Sequence, residues 1–220
     1  MMLDDRPGTR IKLCGMTREA DVDAAVALDI DAIGLVFYRP SARFVDLDTA
    51  ARLAARVPPS IDVVGLFVDA SAADVDAASA RVPLTLLQFH GDEPPADCGR
   101  FGLPWLKAAR VVPGLDLLDF ASAYDGAGAL LLDTHSAGYG GSGKVFDWSL
   151  VPSRLIGPGA ARRVVLSGGL SAANVADAVH RLHPFAVDTS SGIESAKGIK
   201  DAVAMRDFVA AVRATDRSPE

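Results

Sequence analysis

Cysteine is scarce in this chain, and long apolar runs are missing. Only Cys14 and Cys98 occur in 220 residues, and two such isolated thiols form neither a disulfide framework nor a paired metal-binding motif. No apolar stretch has the length needed to span a membrane, and the polar N-terminus lacks the apolar segment of a signal peptide. We therefore expect a cytoplasmic protein that is not attached to a membrane.

Basic residues are outnumbered by acidic ones. The formal net charge of −6 argues against a nucleic-acid partner, because nucleic-acid-binding proteins usually carry a basic face. An anionic small substrate stays compatible with this charge, since local charges and backbone dipoles can bind one. Aromatic residues make up only 6% of the chain, but half of all residues are hydrophobic. The composition therefore allows a large core built from small side chains.

Short apolar runs alternate along the chain with segments of helical spacing. The runs are too short for helices and several are rich in Val, Ile or Phe, which is typical of buried parallel strands. The predicted strands are 11–14, 32–37, 63–68, 84–89, 105–112, 129–133, 164–167 and 185–188. The clearest predicted helices are 21–28, 49–56, 72–81, 115–124, 172–182 and 202–213. Ser71 and Ser171 stand where N-caps belong.

These repeating strand–helix units predict the fold class. Eight units without a break in composition indicate one α/β domain over residues 1–220, a closed (β/α)8 TIM barrel, with tails at 1–9 and 214–220. An open doubly wound sheet is the alternative, and periodicity alone does not choose between the two.

A glycine-rich stretch at 138–143 has the spacing of two nucleotide-binding motifs. It matches G-x-G-x-x-G, but it lacks a strand directly before it and an acidic residue about 20 positions after it. It nearly matches a P-loop, but Val145 stands where Mg²⁺ binding needs Ser or Thr. We interpret the stretch as a mobile loop, which above a barrel can also cover an active site.

Glycines and serines also follow the last two predicted strands. Gly168 and Gly169 end the seventh strand, and Ser190 and Ser191 follow the eighth. Loops at these two places commonly form the phosphate site of barrel enzymes, and glycine lets backbone N–H groups approach the phosphate. The two loops favour a phosphorylated small-molecule substrate over the alternative of two ordinary tight turns.

Polar residues stand at other strand ends, which face the mouth of a barrel. Cys14, His90, Asp133 and Asp188 end predicted strands, and Arg43 follows the second strand. Each also has a structural interpretation. Cysteine is often a core residue, aspartate often caps a loop, and the histidine and arginine could serve hydrogen bonding or the surface.

Taken together and in this order, the motifs resemble those of the phosphoribosylanthranilate isomerases of tryptophan biosynthesis. The resemblance covers about residues 10–212. The matching segments are 11–17, 34–38, 41–45, 64–68, 87–93, 132–134, 139–148, 166–170 and 188–194. Phe89, Thr189 and Lys197 depart from the residues that are usual in the family, and the Lys197 change could alter the mobility of the loop after strand eight.

The resemblance implies a reaction and a set of roles. The reaction is the Amadori rearrangement of N-(5-phosphoribosyl)anthranilate in a barrel of the ribulose-phosphate-binding type, with no metal or cofactor. By similarity, Asp133 is the general acid that protonates the ring oxygen, and Cys14 is the general base that removes the proton from C2. The remaining implied substrate-binding residues are Arg43 for the carboxylate, Gly168, Gly169, Ser190 and Ser191 for the phosphate, and His90 and Asp188 for orienting the sugar or the acid and base.

Both reacting groups need help from their surroundings. A free thiol with a pKa near 8.5 is only a few per cent ionised at pH 7, and an aspartic acid needs burial or a nearby negative charge to hold its proton. Lys12 lies two residues from Cys14 and should share its side of the sheet. It could stabilise a thiolate, or it could serve packing or ion pairing.

Other functions stay open at this point. An indoleglycerol-phosphate synthase or a sugar-phosphate epimerase would use a similar barrel, but the synthase usually relies on a Lys/Glu arrangement. Lys107 is the only clear strand-end lysine, and Cys14 and Asp133 would then be unexplained. A barrel that binds phosphorylated ligands without catalysis is the third hypothesis. The chain could be a monomer or a homodimer.

Overall fold

A computed structural model of the chain describes residues 2–4, 7–134, 146–157, 160 and 162–217. The glycine-rich stretch at 138–143 therefore lies outside the described residues. None of the helices in the described ranges is both long and apolar enough to cross a membrane.

Eight parallel strands close into a barrel. Each strand pairs with the next one along the chain, and β8 pairs with β1. The strands are β1 Arg10–Cys14, β2 Ala32–Val36, β3 Asp62–Phe67, β4 Leu86–Phe89, β5 Trp105–Val111, β6 Ala129–Thr134, β7 Val164–Leu166 and β8 Ala186–Thr189. The predicted TIM barrel is confirmed, and the open sheet is excluded because the first and last strands are hydrogen-bonded to each other.

Helices follow most of the strands and cover the outside of the barrel. They are α1 Glu19–Val26, α2 Leu47–Ala54, α3 Ala72–Arg81, α4 Pro95–Cys98, α5 Leu117–Ala123, α6 Val175–Leu182 and α7 Ala202–Asp216. One apolar core lies between the sheet and these helices. A second, smaller core fills the barrel interior with side chains such as Val64, Leu86 and Leu131, so the barrel is a packed core rather than a pore.

The two predicted N-caps have different outcomes. The Ser71 hydroxyl accepts a hydrogen bond from the Asp74 N–H at 3.2 Å, as an N-cap should. The Ser171 prediction is wrong, because α6 starts later, at Val175. The Ser171 N–H instead donates to the Asn174 side chain at 2.8 Å. The residues before α6 therefore form a turn instead of a first helical turn.

The chain ends differ from the predicted tails. Helix α7 continues to Asp216, past the predicted start of the C-terminal tail. At the other end, Met2 is fully buried in the interior core of the barrel. The assignment of residues 1–220 to one domain stays a prediction.

A small antiparallel hairpin follows β8, and sequence periodicity did not predict it. Its strands are β9 Glu194–Ala196 and β10 Ile199–Lys200. The hairpin leads directly into α7, where the Asp201 side chain accepts hydrogen bonds from the Val203 and Ala204 N–H groups. It lies beside the mouth of the barrel, next to the candidate site.

Candidate active site

A cavity opens at the C-terminal ends of the strands. Its space of about 710 Å³ includes part of the open mouth. All nine residues that the sequence suggested line it. They are Cys14, Arg43, His90, Asp133, Gly168, Gly169, Asp188, Ser190 and Ser191. Residues distant in the sequence thus meet at one mouth because parallel strands all end on the same side.

Cys14 ends β1 and is almost fully buried. It pairs in register with Gly34 of β2, where an added Cβ would lie 2.5 Å from the Cys14 sulfur. The absence of a side chain at Gly34 therefore makes the space that the thiol occupies. Burial raises the pKa of the Cys14 thiol, and the positive charge of Lys12 only partly offsets that effect.

Lys12 lies fully buried beneath the cavity. Its Nζ is 2.8 Å from Oδ1 of Asp188, whose other oxygen accepts a hydrogen bond from the Ser167 hydroxyl at 3.1 Å. Burial acts to lower the pKa of Lys12, but the attraction of Asp188 and of Cys14 outweighs it, and the net shift is upward. Lys12 is therefore an ammonium ion that is paired with Asp188 and acts electrostatically on Cys14.

Asp133 is the second-last residue of β6 and lies on another side of the same cavity. One of its oxygens accepts a hydrogen bond from the Thr134 N–H at 2.7 Å, and the other lies 3.1 Å from Nε2 of His90. Nδ1 of His90 lies 3.0 Å from Nε2 of Gln88. Because the Gln88 amide donates to Nδ1, the hydrogen of a neutral imidazole is on Nε2 and is donated to Asp133.

Gln88 is a residue of this network that sequence reasoning missed. It is fully buried on β4 and lines the cavity. The available signal was its spacing, since residues i and i+2 of a strand lie on the same face and Gln88 stands two positions before His90. Polar residues rarely occupy such a buried strand position without a hydrogen-bonding role.

The loops after β7 and β8 form another part of the cavity wall, directly beside Asp133. Gly168 has φ +81°, and an added Cβ would lie 2.6 Å from the Thr134 nitrogen and 2.8 Å from an Asp133 oxygen. Only glycine fits this backbone. The Thr189 hydroxyl donates to the Leu170 carbonyl at 2.7 Å, so this departure from the usual family residue connects the two loops.

The guanidinium of Arg43, in the cavity wall, is paired with a carboxylate of the protein. Its Nε and Nη2 donate to the two carboxylate oxygens of Glu194 at 2.7 and 2.8 Å. Lys200 lies 2.9 Å from the same carboxylate. The sequence predicts no role for Glu194, which lies inside a segment that resembles the family, or for Lys200, because neither stands at the end of a predicted strand.

Comparison with known proteins agrees with this geometry. A sequence model of the family described as N-(5'-phosphoribosyl)anthranilate (PRA) isomerase matches residues 11–211. The chain is 61% identical to the N-(5'-phosphoribosyl)anthranilate isomerase of Leptothrix cholodnii over 208 residues, which cover 94% of this chain and 92% of that one.

Solved structures give the same result. The crystal structure of phosphoribosyl anthranilate isomerase from Thermotoga maritima is 36% identical, with a TM-score of 0.85 over 94% of this chain and 99% of that one. A phosphoribosyl anthranilate isomerase in complex with reduced 1-(o-carboxyphenylamino)-1-deoxyribulose 5-phosphate is 33% identical, with a TM-score of 0.82 and the same coverage. With matches of this length and identity in both sequence and structure, the chain belongs to the N-(5'-phosphoribosyl)anthranilate isomerase family.

Proposed function

We propose that this chain catalyses the Amadori rearrangement of N-(5-phosphoribosyl)anthranilate to 1-(2-carboxyphenylamino)-1-deoxyribulose 5-phosphate in L-tryptophan biosynthesis. The observation that carries the proposal is the placement of Cys14 and Asp133 in one cavity, together with two glycine- and serine-containing loops. The reaction moves protons within one molecule, so it requires an acid and a base in the same site and no net change of oxidation state.

Asp133 acts as the general acid in the first step. It donates its proton to the ring oxygen as the bond between this oxygen and C1 breaks, and the nitrogen lone pair forms the Schiff base. The carboxylate left behind accepts hydrogen bonds from His90 Nε2 and from the Thr134 N–H. Hydrogen bonds to the ionised form stabilise it, so His90 serves the acid rather than the sugar.

Cys14 acts as the general base in the second step. Its thiolate takes the proton from C2, and the C2 electrons move to the C1–N unit to form an enolamine, which tautomerises to the ketone. Burial keeps the thiolate a minor species, but a thiolate of raised pKa is a stronger base. Lys12 supplies the compensating positive charge beneath the sulfur, and Asp188 holds Lys12 in place.

The two ends of the substrate have separate anion sites. Gly168, Gly169, Ser190 and Ser191 bind the phosphate with backbone N–H and hydroxyl groups. Arg43 binds the anthranilate carboxylate, for which the planar guanidinium is suited. This division places the reacting sugar between Cys14 and Asp133.

The alternative synthase function has less support. Lys107, the lysine that it would require, is buried away from the cavity and pairs with Glu93 at 2.7 Å and with the Gly91 carbonyl at 2.8 Å. This pairing gives Lys107 a structural role. A non-catalytic barrel would have no need for an acid and a base on facing sides of the cavity.

Location and assembly belong to the same proposal. We place the enzyme in the cytoplasm, where its small phosphorylated substrate would be made, as a monomer or a homodimer. A related enzyme from Thermotoga maritima, 33% identical with a TM-score of 0.82, is described as dimeric and has been crystallised as monomers.

A fluorescence assay tests the proposed activity. The chain is mixed with freshly generated N-(5-phosphoribosyl)anthranilate, and the loss of anthranilate fluorescence is followed together with product formation by mass spectrometry. We expect saturable acceleration and an isomeric product of unchanged mass. A rate equal to the spontaneous background would exclude the isomerase function.

A further inference from the structure

Glu194 occupies one edge of the Arg43 guanidinium. The Nε and Nη2 groups form one edge of the planar fork, and both donate to Glu194. Arg43 lines the cavity, whereas Glu194 lies behind it, with only 5% of its side chain exposed. The Nη1 group and the second Nη2 hydrogen form the edge that is left for a carboxylate in the cavity.

Glu194 is itself held in place from behind. Lys200, whose side chain is fully buried, lies 2.9 Å from Oε1 of Glu194. Burial acts to raise the pKa of the Glu194 carboxyl, but Arg43 and Lys200 outweigh it, and the net shift is downward. Glu194 is therefore an ionised acceptor with two cationic partners.

Lys200 also reaches the predicted phosphate loop. Its Nζ donates to the Ser190 carbonyl at 3.0 Å and to the Ser190 hydroxyl at 3.2 Å. One chain of contacts thus runs from Ser190 through Lys200 and Glu194 to Arg43. These contacts connect the predicted phosphate site to the predicted carboxylate site.

The hairpin that carries Glu194 and Lys200 is fixed to the neighbouring loops. The Thr17 hydroxyl donates to the Gly198 carbonyl at 2.5 Å, and the Arg18 side chain donates to the Lys200 carbonyl at 3.0 Å. An added Cβ on Gly198 would lie 2.7 Å from the Ala42 carbonyl oxygen. With the hairpin held on both sides, the position of Glu194 is set independently of any ligand.

We propose that Glu194 is a positioning residue that orients Arg43 for the carboxylate of the substrate. It holds the Nε–Nη2 edge so that the Nη1–Nη2 edge faces the cavity. The inference rests on the proposed function, because it assigns the carboxylate of N-(5-phosphoribosyl)anthranilate to Arg43. Glu194 acts through Arg43 and does not touch the substrate.

Replacement of Glu194 by Gln breaks the paired contact with Arg43. In the wild type, both carboxylate oxygens accept from Arg43, and one of them also accepts from Lys200. A glutamine places an NH₂ donor opposite an N–H donor in either orientation of its amide, so the guanidinium must turn. The substitution also removes one negative charge, which favours anionic ligands and most of all a carboxylate bound at Arg43. A fall in the preference for the carboxylate ligand therefore reports lost orientation and not the change of charge.

The test therefore compares two ligands that share the phosphate. Reduced 1-(o-carboxyphenylamino)-1-deoxyribulose 5-phosphate and its phenylamino counterpart without the carboxylate are titrated calorimetrically against the wild type, Glu194→Gln, Arg43→Ala and the double variant. We expect the preference for the carboxylate ligand to fall about tenfold in Glu194→Gln, about 1.4 kcal/mol. The double variant should show the same preference as Arg43→Ala alone, since residues that act through one another are not additive.

Each other outcome has a defined meaning. An unchanged preference in Glu194→Gln, or an additional loss in the double variant, overturns the proposal. A wild type that binds neither ligand contradicts the proposed function itself. Glu19→Gln on α1, an exposed change of equal charge, is the control and should keep the wild-type preference. If Glu194→Gln is too unstable for titration, Glu194→Asp replaces it, because the shorter carboxylate keeps its charge but cannot reach both nitrogens, and the same loss is expected.

Discussion

At the scale of single residues, the site depends on ionisable groups that are buried in contact with each other. Lys12 is paired with Asp188, and its positive charge acts on Cys14. Burial alone would make a thiolate at Cys14 much less stable than in water. The paired lysine therefore supports the proposed role of Cys14 as a base, although it does not cancel the effect of burial.

This balance predicts how Cys14 reacts with pH. In a Cys98→Ala background, alkylation of Cys14 by iodoacetamide should be slow at pH 7 and should accelerate as pH rises, because only the thiolate reacts. Burial raises the pKa of Cys14, so at each pH below it the thiolate fraction is smaller than that of a free thiol. The midpoint should therefore lie above 8.5, the ordinary value for a free cysteine.

Mass spectrometry of the modified protein between pH 6 and 10 measures this rate. The same series on a small free thiol is the control for the reagent. A midpoint at or below that of the free thiol would show that Lys12 dominates over burial.

At the scale of elements, the pairing of strands β1 and β2 places a glycine beside the sulfur of Cys14. Gly34 stands beside Cys14 in the strand register, and a methyl group there would lie 2.5 Å from the sulfur. Gly34→Ala should therefore move Cys14, the proposed base, and lower kcat by about 10²-fold, since displacements near 1 Å cost about this much. Steady-state kinetics of the variant measure the effect.

Gly126→Ala is the matched control. Gly126 lies between α5 and β6, away from the cavity, and an added Cβ would make an ordinary 3.4 Å contact with Trp105. Its kcat should stay at the wild-type value. A Gly34→Ala enzyme with normal kcat would show that Cys14 tolerates displacement, which is incompatible with a positioned base.

The barrel strands and the β9–β10 hairpin differ in how well the sequence predicts them. The buried strands could be predicted because short apolar runs rich in Val and Ile are typical of parallel strands, and the ends of these strands then indicated the mouth. The β9–β10 hairpin could not be predicted, since its strands are only three and two residues long and contain no apolar run. For the same reason the contact between Arg43 and Glu194 could not be predicted from the sequence. The two residues are 151 positions apart, and no strand end marks Glu194.

Prediction from sequence failed differently at Ser171. Serine before a helical pattern is a good N-cap signal, but Asn174 offers a competing local hydrogen bond. Its side-chain oxygen accepts from the Ser171 N–H, and its NH₂ donates to the Gly169 carbonyl at 3.0 Å. The turn therefore fixes the predicted phosphate loop, and helix α6 starts after it.

At the scale of the whole molecule, the two ends of the barrel have different roles. The mouth carries the candidate site, while the opposite end is sealed by the N-terminal segment. Met2 is fully buried among interior residues such as Ala32 and Val64, and its backbone nitrogen lies 2.5 Å from an Asp62 carboxylate oxygen. A segment that the sequence marked as a tail therefore contributes to the core.

This division predicts a variant that loses stability but keeps its activity. Met2→Ala should lower the free energy of unfolding by about 2–5 kcal/mol, the usual cost of emptying a buried methionine site. Its kcat and KM should stay within about twofold, because residues at the bottom of a barrel serve stability. Urea unfolding and steady-state kinetics on the same preparation test both parts. An unchanged stability would mean that Met2 adds nothing to the core.

The central claim is that Cys14 and Asp133 carry the two proton transfers of one isomerisation. The most direct measurement is kcat for the wild type, Cys14→Ala and Asp133→Asn, from the loss of N-(5-phosphoribosyl)anthranilate fluorescence at saturating substrate. The wild type should turn over, and each variant should lose at least about 10²-fold in kcat, the usual contribution of a general acid or base. Near-wild-type turnover in either variant would contradict the role assigned to that residue.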